Sequence, residues 1–147
     1  MYALIVIVLL VIVAVAIYAR TAAPPSDLGA VSGRLARCPE SPNCVSSQAE
    51  RESQKVASIT YTGDADAAMK RLHDIVAVLP RAQIIVSEAD YLHVEFRSQV
   101  FRFVDDVEFL TDPTESVIHV RSASRVGHSD FGANRRRVEQ IRTKFAP

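Results

Sequence analysis

All 17 basic and 17 acidic side chains of this 147-residue chain fall after position 19, so Met1 to Ala19 is an unbroken run of apolar and aromatic residue types. At about 1.5 Å of rise per residue, such a run forms a helix of roughly 28 Å, close to the roughly 30 Å hydrocarbon layer of a bilayer. The stretch from Leu4 to Ile17 is dense in Val, Ile and Leu, and Tyr2 and Tyr18 stand at its ends, where aromatic rings with a polar edge favour the headgroup level. Residues 1–19 therefore read as a transmembrane anchor. A cleaved signal peptide is the rival reading, and a buried soluble helix is a third. Against the signal peptide, no Lys or Arg precedes the run, which also exceeds the roughly 7 to 15 residues of a signal core. The nearest small-residue site, Thr21-Ala22-Ala23, is followed by Pro24. Arg20, Arg34 and Arg37 follow the span, and by the positive-inside rule alone they would hold the rest of the chain in the cytoplasm.

What remains after the anchor has room for one modest core and none for a two-domain enzyme. Its mixed composition excludes disorder, collagen and a disulfide-dense scaffold as descriptions of the whole chain. Thr21 to Ser32 contains Pro24, Pro25 and Gly29 without apolar periodicity, so residues 20–34 read as a linker and residues 35–147 as a single α+β domain. Both cysteines lie in Arg37-Cys38-Pro39-Glu40-Ser41-Pro42-Asn43-Cys44-Val45-Ser46-Ser47. Pro39 and Pro42 each fix a φ angle and stiffen this loop, which brings Cys38 and Cys44 near each other. Outside the cytosol they would form one structural disulfide, which favours an extracytoplasmic domain. Reduced inert thiols are the alternative. A metal site would need further ligands, and His73, His93, His119 and His128 stand at no matching spacing; a redox motif would separate the cysteines by two residues rather than five.

Three blocks carry a resemblance to a known family: Cys38 to Ser47 above, Asp105-Asp106-Val107-Glu108-Phe109, and Arg121-Ser122-Ala123-Ser124-Arg125-Val126-Gly127 continuing through Asp130, Gly132, Asn134, Arg135 and Arg136. They resemble the signature of domain of unknown function 1499, a bacterial and plastid envelope family, over about Leu35 to Phe145. The resemblance implies that the three blocks matter together. The thylakoid-lumen association of plastid members favours an extracytoplasmic domain. It implies no activity and no catalytic residue.

The pattern along the domain predicts the order β-α-β-β-β-β-α. Lys55 to Tyr61 alternates as a strand. Asp64 is a helix N-cap, and Ala65, Ala68, Met69, Leu72, Ile75, Val76 and Leu79 form one apolar stripe that ends at Pro80. Four extended runs follow, at Gln83 to Glu88, Tyr91 to Arg97, Phe101 to Leu110 and Ser116 to Ser124, with links short enough for hairpins. A second helix covers about Phe131 to Phe145, with Asn134, Val138, Ile141 and Phe145 on one face and Arg135, Arg136, Arg137, Arg142 and Lys144 on the other. The expected fold is an antiparallel sheet of about five strands with two helices on one face. Leu92, Val94 and Phe96 point to that face; Tyr91, His93, Glu95 and Arg97 point to the other, expected to be wet or functional.

Charge is uneven: residues 50–110 carry 7 basic and 11 acidic side chains, and residues 116–147 carry 7 basic and 2 acidic. Strand alternation puts Asp106 and Glu108 on one face, and Asp105 on the other beside Phe101, Phe103, Val107 and Phe109. A carboxylate in an apolar layer needs a partner, and the arginines of the next strand are the expected ones. The candidate site is thus Asp105, Asp106, Glu108, Arg121, Ser122, Ser124, Arg125, Asp130, Asn134 and Arg135, suited to a small phosphate or carboxylate ligand at a glycine-containing strand-to-helix corner. The alternative is a structural Asp-to-Arg network locking the turn. Asp105, Asp106, Glu108 and His128 also permit a small hydrolase or isomerase, but no nucleophile, metal cluster or cofactor loop accompanies them. Zero net charge, the absence of tryptophan and the lack of a motif argue against nucleic acid. The expectation is a single-pass inner-membrane protein with a periplasmic domain. It has no cofactor or metal, and it binds a protein partner or a small anionic ligand. The basic helix face is a candidate contact for anionic lipid.

Overall fold

The structure, a computed structural model, describes residues 2–146. Helix α1 covers Tyr2–Thr21; it is long and apolar enough to cross a membrane, a test that a signal sequence also passes. Two short hairpin strands follow, β1 (Ala30–Val31) and β2 (Arg34–Leu35), then β3 (Cys44–Ser46), β4 (Ile59–Thr60), α2 (Ala65–Ala77), β5 (Ala82–Ser87), β6 (Tyr91–Arg97), β7 (Val104–Asp112), β8 (Val117–Ser124) and α3 (Ala133–Phe145). Strands β3, β8, β7, β6 and β5 form an antiparallel sheet in that order, and β4 joins as a sixth strand by pairing with β8. The α+β expectation holds, with more strands than the pattern predicts. Strand β3 is only three residues long, and β4 keeps just two residues of the expected Lys55 to Tyr61.

Local chemistry sets the helix ends. The Asp64 side chain accepts the Ala67 N–H at 3.0 Å and caps α2. Helix α3 starts after Gly132, whose φ of 78° suits glycine, and Asp130 accepts the Gly132 and Asn134 N–H groups at 2.9 and 2.7 Å. Burial of Asp130 pushes its carboxyl up, yet these N–H donors hold it below the usual aspartate range.

Sheet pleating sorts the side chains into two sets. Leu92, Val94, Phe96, Val107, Phe109, Ile118 and Val120 face the helices and pack on Leu72 and Val76 of α2 and Val138, Ile141 and Phe145 of α3. Tyr91, His93, Glu95, Asp106, Glu108 and Arg121 face the opposite way and are also buried. This corrects the expectation of a wet second face. The cover on that side comes from residues 22–35: the Gly29 N–H, at a φ of 107°, donates to Glu108 Oε1 at 2.8 Å, and Leu35 packs with Tyr91 and Leu110. The segment expected as a linker is a strap across the sheet.

Candidate functional site

The acidic strand β7 and the basic strand β8 are neighbours, with Glu108 opposite Arg121 and Asp106 opposite Ala123. Under the strap, Arg121 Nη1 donates to Glu108 Oε2 at 2.9 Å, and the Tyr91 hydroxyl donates to Glu108 Oε1 at 2.8 Å. Asp27 of the strap lies 3.8 Å from Arg121 Nη2. Arg121 Nε is the one buried side-chain nitrogen or oxygen among the described residues that lacks a partner. Burial, then the neighbouring Glu108 charge, pushes the Tyr91 hydroxyl far above its ordinary value.

One step along the strands, Arg125 donates from Nε and Nη2 to the two Asp106 oxygens, both at 2.7 Å, and Nη2 also bonds Glu95. His93 Nε2 lies 2.8 Å from Asp106 Oδ1, so that nitrogen carries the proton if Asp106 is ionised. Burial pushes the Asp106 carboxyl up, but hydrogen bonds from Arg125 and His93 outweigh it and hold the group below the usual carboxylate range. Arg125 Nη1 also donates to the Ala22 carbonyl at 3.2 Å, the first residue beyond α1.

Asp105 lies on the helix side, as alternation requires, but its partner is not a β8 arginine. Arg137 of α3 donates to Asp105 Oδ2 at 2.6 Å and lays its guanidinium over the Phe96 ring at 4.8 Å. The solvent face expected for Arg137 is thereby corrected. Phe101 and Phe103 precede β7 and do not share the Asp105 layer; Arg102 between them has a φ of 64°, which breaks the strand alternation.

A second polar cluster sits around Asp105. Ser122 Oγ donates to Asn134 Oδ1 at 2.5 Å, and Arg137 Nη1 donates to the same oxygen at 2.8 Å. Asn134 Nδ2 donates to Ser124 Oγ and to the Asn43 carbonyl, both at 3.0 Å. Asn43, between the two cysteines, reaches the Gly127 carbonyl at 2.6 Å. Cys38 and Cys44 are joined in a disulfide, and Cys44 pairs with Ala123 of β8.

The expected site residues thus divide. Asp106, Glu108, Arg121 and Arg125 gather under the strap; Asp105, Ser122, Ser124 and Asn134 gather beneath α3; Asp130 caps α3. Arg135 joins neither, donating to the Ser53 and Lys55 carbonyls. The α3 arginines proposed for lipid are similarly engaged: Arg136 with the Phe131 carbonyl and Arg142 with Glu139. Tyr91, His93 and Glu95, from the β6 face expected to be wet or functional, and Arg137, expected on the solvent side of α3, complete the clusters although they are outside the candidate site set. The signal for Tyr91, His93 and Glu95 lies in β6, whose polar residues alternate beside the acidic strand, whereas Arg137 lies on α3 and has no such signal.

A family model described as a protein of unknown function (DUF1499) matches residues 34–145. The chain belongs to that family. The match covers all three signature blocks and leaves α1 and the strap up to Gly33 outside it; the fold gathers those blocks at one sheet corner, where Asn134 bonds Asn43 and Ser122 and Arg137 links it to Asp105. A search of the curated proteins finds no match. For metals, one group among the described residues brings potential ligand atoms together: Asp112, Glu115 and His119, within 4.8 Å of one another. Asp112 Oδ1 there already accepts the Thr114 and Glu115 N–H groups.

Proposed function

We propose that the chain is a membrane-anchored, non-catalytic interaction module whose folded part is held on the periplasmic side of the inner membrane and engages a protein partner. The observation that carries this reading is the neutralisation of the acidic strand. Asp105, Asp106 and Glu108 each face an arginine at 2.6 to 2.9 Å. General acid–base work calls for a carboxyl with a pKa moved toward neutrality, whereas Asp106 is held low. The disulfide supports an oxidising compartment.

A partner protein is favoured over a small anion because Arg125 and Arg137 are tied to the chain's own carboxylates, and Arg121, bonded to Glu108 through Nη1 and with its Nε unpaired, is buried beneath the strap. A groove of about 470 Å³ between the strap and β5–β6 carries the exposed Glu88 and Asp90 beside Leu28 and Ile85. Its chemistry suits a partner segment with basic and apolar side chains.

The test is an assay of the purified full chain and its Asp106→Asn variant against model esters, phosphoesters and glycosides. The module reading expects no turnover above buffer for either protein, and a lower melting temperature for the variant. Turnover that disappears in Asp106→Asn at an unchanged melting temperature would replace it with the hydrolase reading.

A further inference from the structure

The two ends of the sheet differ in charge and in exposed apolar surface. Residues 78–81, 98–103 and 125–132 turn at one end. That end exposes Val78 by 81%, Val100 by 72%, Phe101 by 38% and Phe131 by 88%, with Arg81, whose Nε donates to the Arg97 carbonyl, and Arg102 exposed among them. The other end turns at residues 61–64, 88–90 and 113–116, whose own charged side chains, Asp64, Glu88, Asp90 and Glu115, are all acidic, with Arg71 of α2 and the end of α3 beside the first turn. Apolar side chains gathered at loop tips and flanked by arginines fit a membrane interface rather than bulk water.

The end of α1 decides which end meets the bilayer. Helix α1 stops at Thr21, and the next residue accepts a hydrogen bond from Arg125, the first residue after β8. The chain therefore leaves α1 at the apolar, basic end. Ala19 is fully buried, while Tyr2 to Tyr18 are exposed apart from the half-buried Ala16, so α1 stands clear of the domain instead of lying along it. Arg81, Arg102 and Phe131 hold left-handed φ values of 61°, 64° and 53°, one in each of the three turns at this end.

We infer that the bilayer entered by α1 is also the docking surface for this end of the sheet, with Val78, Val100, Phe101 and Phe131 at the headgroup level and Arg81 and Arg102 paired with anionic headgroups. The inference rests on α1 being a membrane span. It fixes the domain's orientation, with the loop end against lipid and the acidic end and groove turned toward the aqueous side. Charge complementarity favours anionic lipid, since each arginine near such a surface gains from its negative potential.

The chain lacks tryptophan, so a single indole reports without background. Full-length Phe131→Trp, Val100→Trp and Thr114→Trp chains are reconstituted in phosphatidylcholine vesicles with and without phosphatidylglycerol, using plain or brominated acyl chains. Bromine is expected to lower emission about twofold at positions 131 and 100 and to leave position 114, at the acidic end, unchanged. Arg81→Glu with Arg102→Glu is expected to reduce that quenching in phosphatidylglycerol vesicles. Equal quenching at 131 and 114 overturns the inference. So does protection from aqueous iodide that follows the protein-to-lipid ratio rather than bromine, which would make this end an interface between copies. Flotation of the same samples in alkaline carbonate separates the two levels: a chain that floats without quenching at 131 is anchored but undocked, and a chain released from the vesicles removes both the span and the docking.

Discussion

Strand β7 serves two faces that are closed by different physics. Toward the helices, Val107 and Phe109 are fully buried among aliphatic side chains of α2 and α3. Toward the strap, Asp106 and Glu108 are buried as deeply, at 1% and 0% exposure, among arginines, a histidine and a tyrosine. Two helices bring enough apolar area to close a face by burial alone, at roughly 25 cal/mol per Å². The strap brings few large apolar side chains, so directional contacts such as Gly29 to Glu108 and Ala22 to Arg125 hold it down. The helix face therefore supplies bulk stability, whereas the strap face supplies position and is sensitive to loss of any one charge.

That contrast is broken most sharply at Glu108. Glu108→Ala leaves Arg121, 4% exposed, as a buried cation without its carboxylate, and should destabilise by about 3 to 5 kcal/mol in denaturant titration. A loss below about 1 kcal/mol would mean that the strap face is effectively solvated. Arg125→Ala is the next largest. It leaves Asp106 and Glu95 side by side without their shared donor, and about 2 kcal/mol or more should be lost. An unchanged melting curve would show that His93 alone suffices for Asp106.

The pH dependence sharpens the same comparison. Asp106 has a lowered folded pKa, so below its ordinary value of 3.8 the unfolded chain takes up the proton first. Its contribution is present above 3.8 and is lost as pH falls through the lower, folded value. Asp106→Asn should flatten that acid limb in part, leaving the portion due to Asp130. Tyr91 behaves oppositely: with a raised folded value, its contribution is intact below the ordinary 10.0 and is lost as pH rises above it. Tyr91→Phe should flatten the alkaline limb, and melting curves across both ranges check the pair. The smallest effect is expected at Lys70→Ala, whose partner Asp74 lies on the outer face of α2 with both side chains more than half exposed; the melting temperature should not move measurably.

Much of this architecture is legible in residue order. The uncharged run marks α1, Asp64 and Pro80 bracket α2, and strict alternation places β6 at Tyr91–Arg97. The meeting of the acidic and basic strands follows from the short link at residues 113–116. The strap does not follow, because residues 22–35 have no period to read and their anchor Glu108 lies 79 positions away from Gly29. Arg137 is hidden for another reason: a helical wheel assigns arginines to solvent, and only the sheet's position shows that this one reaches Asp105. Strand β3 is too short for periodicity, and its existence depends on Cys44, Val45 and Ser46 finding β8. The acidic and basic strands were therefore legible as neighbours, while the division of their side chains between two faces, and the separation of Arg135 from both clusters, required the sheet.

Backbone amide exchange, followed by mass spectrometry on the full chain and on Glu108→Gln, tests the central claim most directly, because Gly29 donates its N–H to that side chain. If the carboxylates of β7 are anchors for the strap, the variant exchanges faster across residues 22–35 while peptides from α2 and α3 keep their protection. Faster exchange spread evenly over the whole domain, or none at all in the strap, would contradict it.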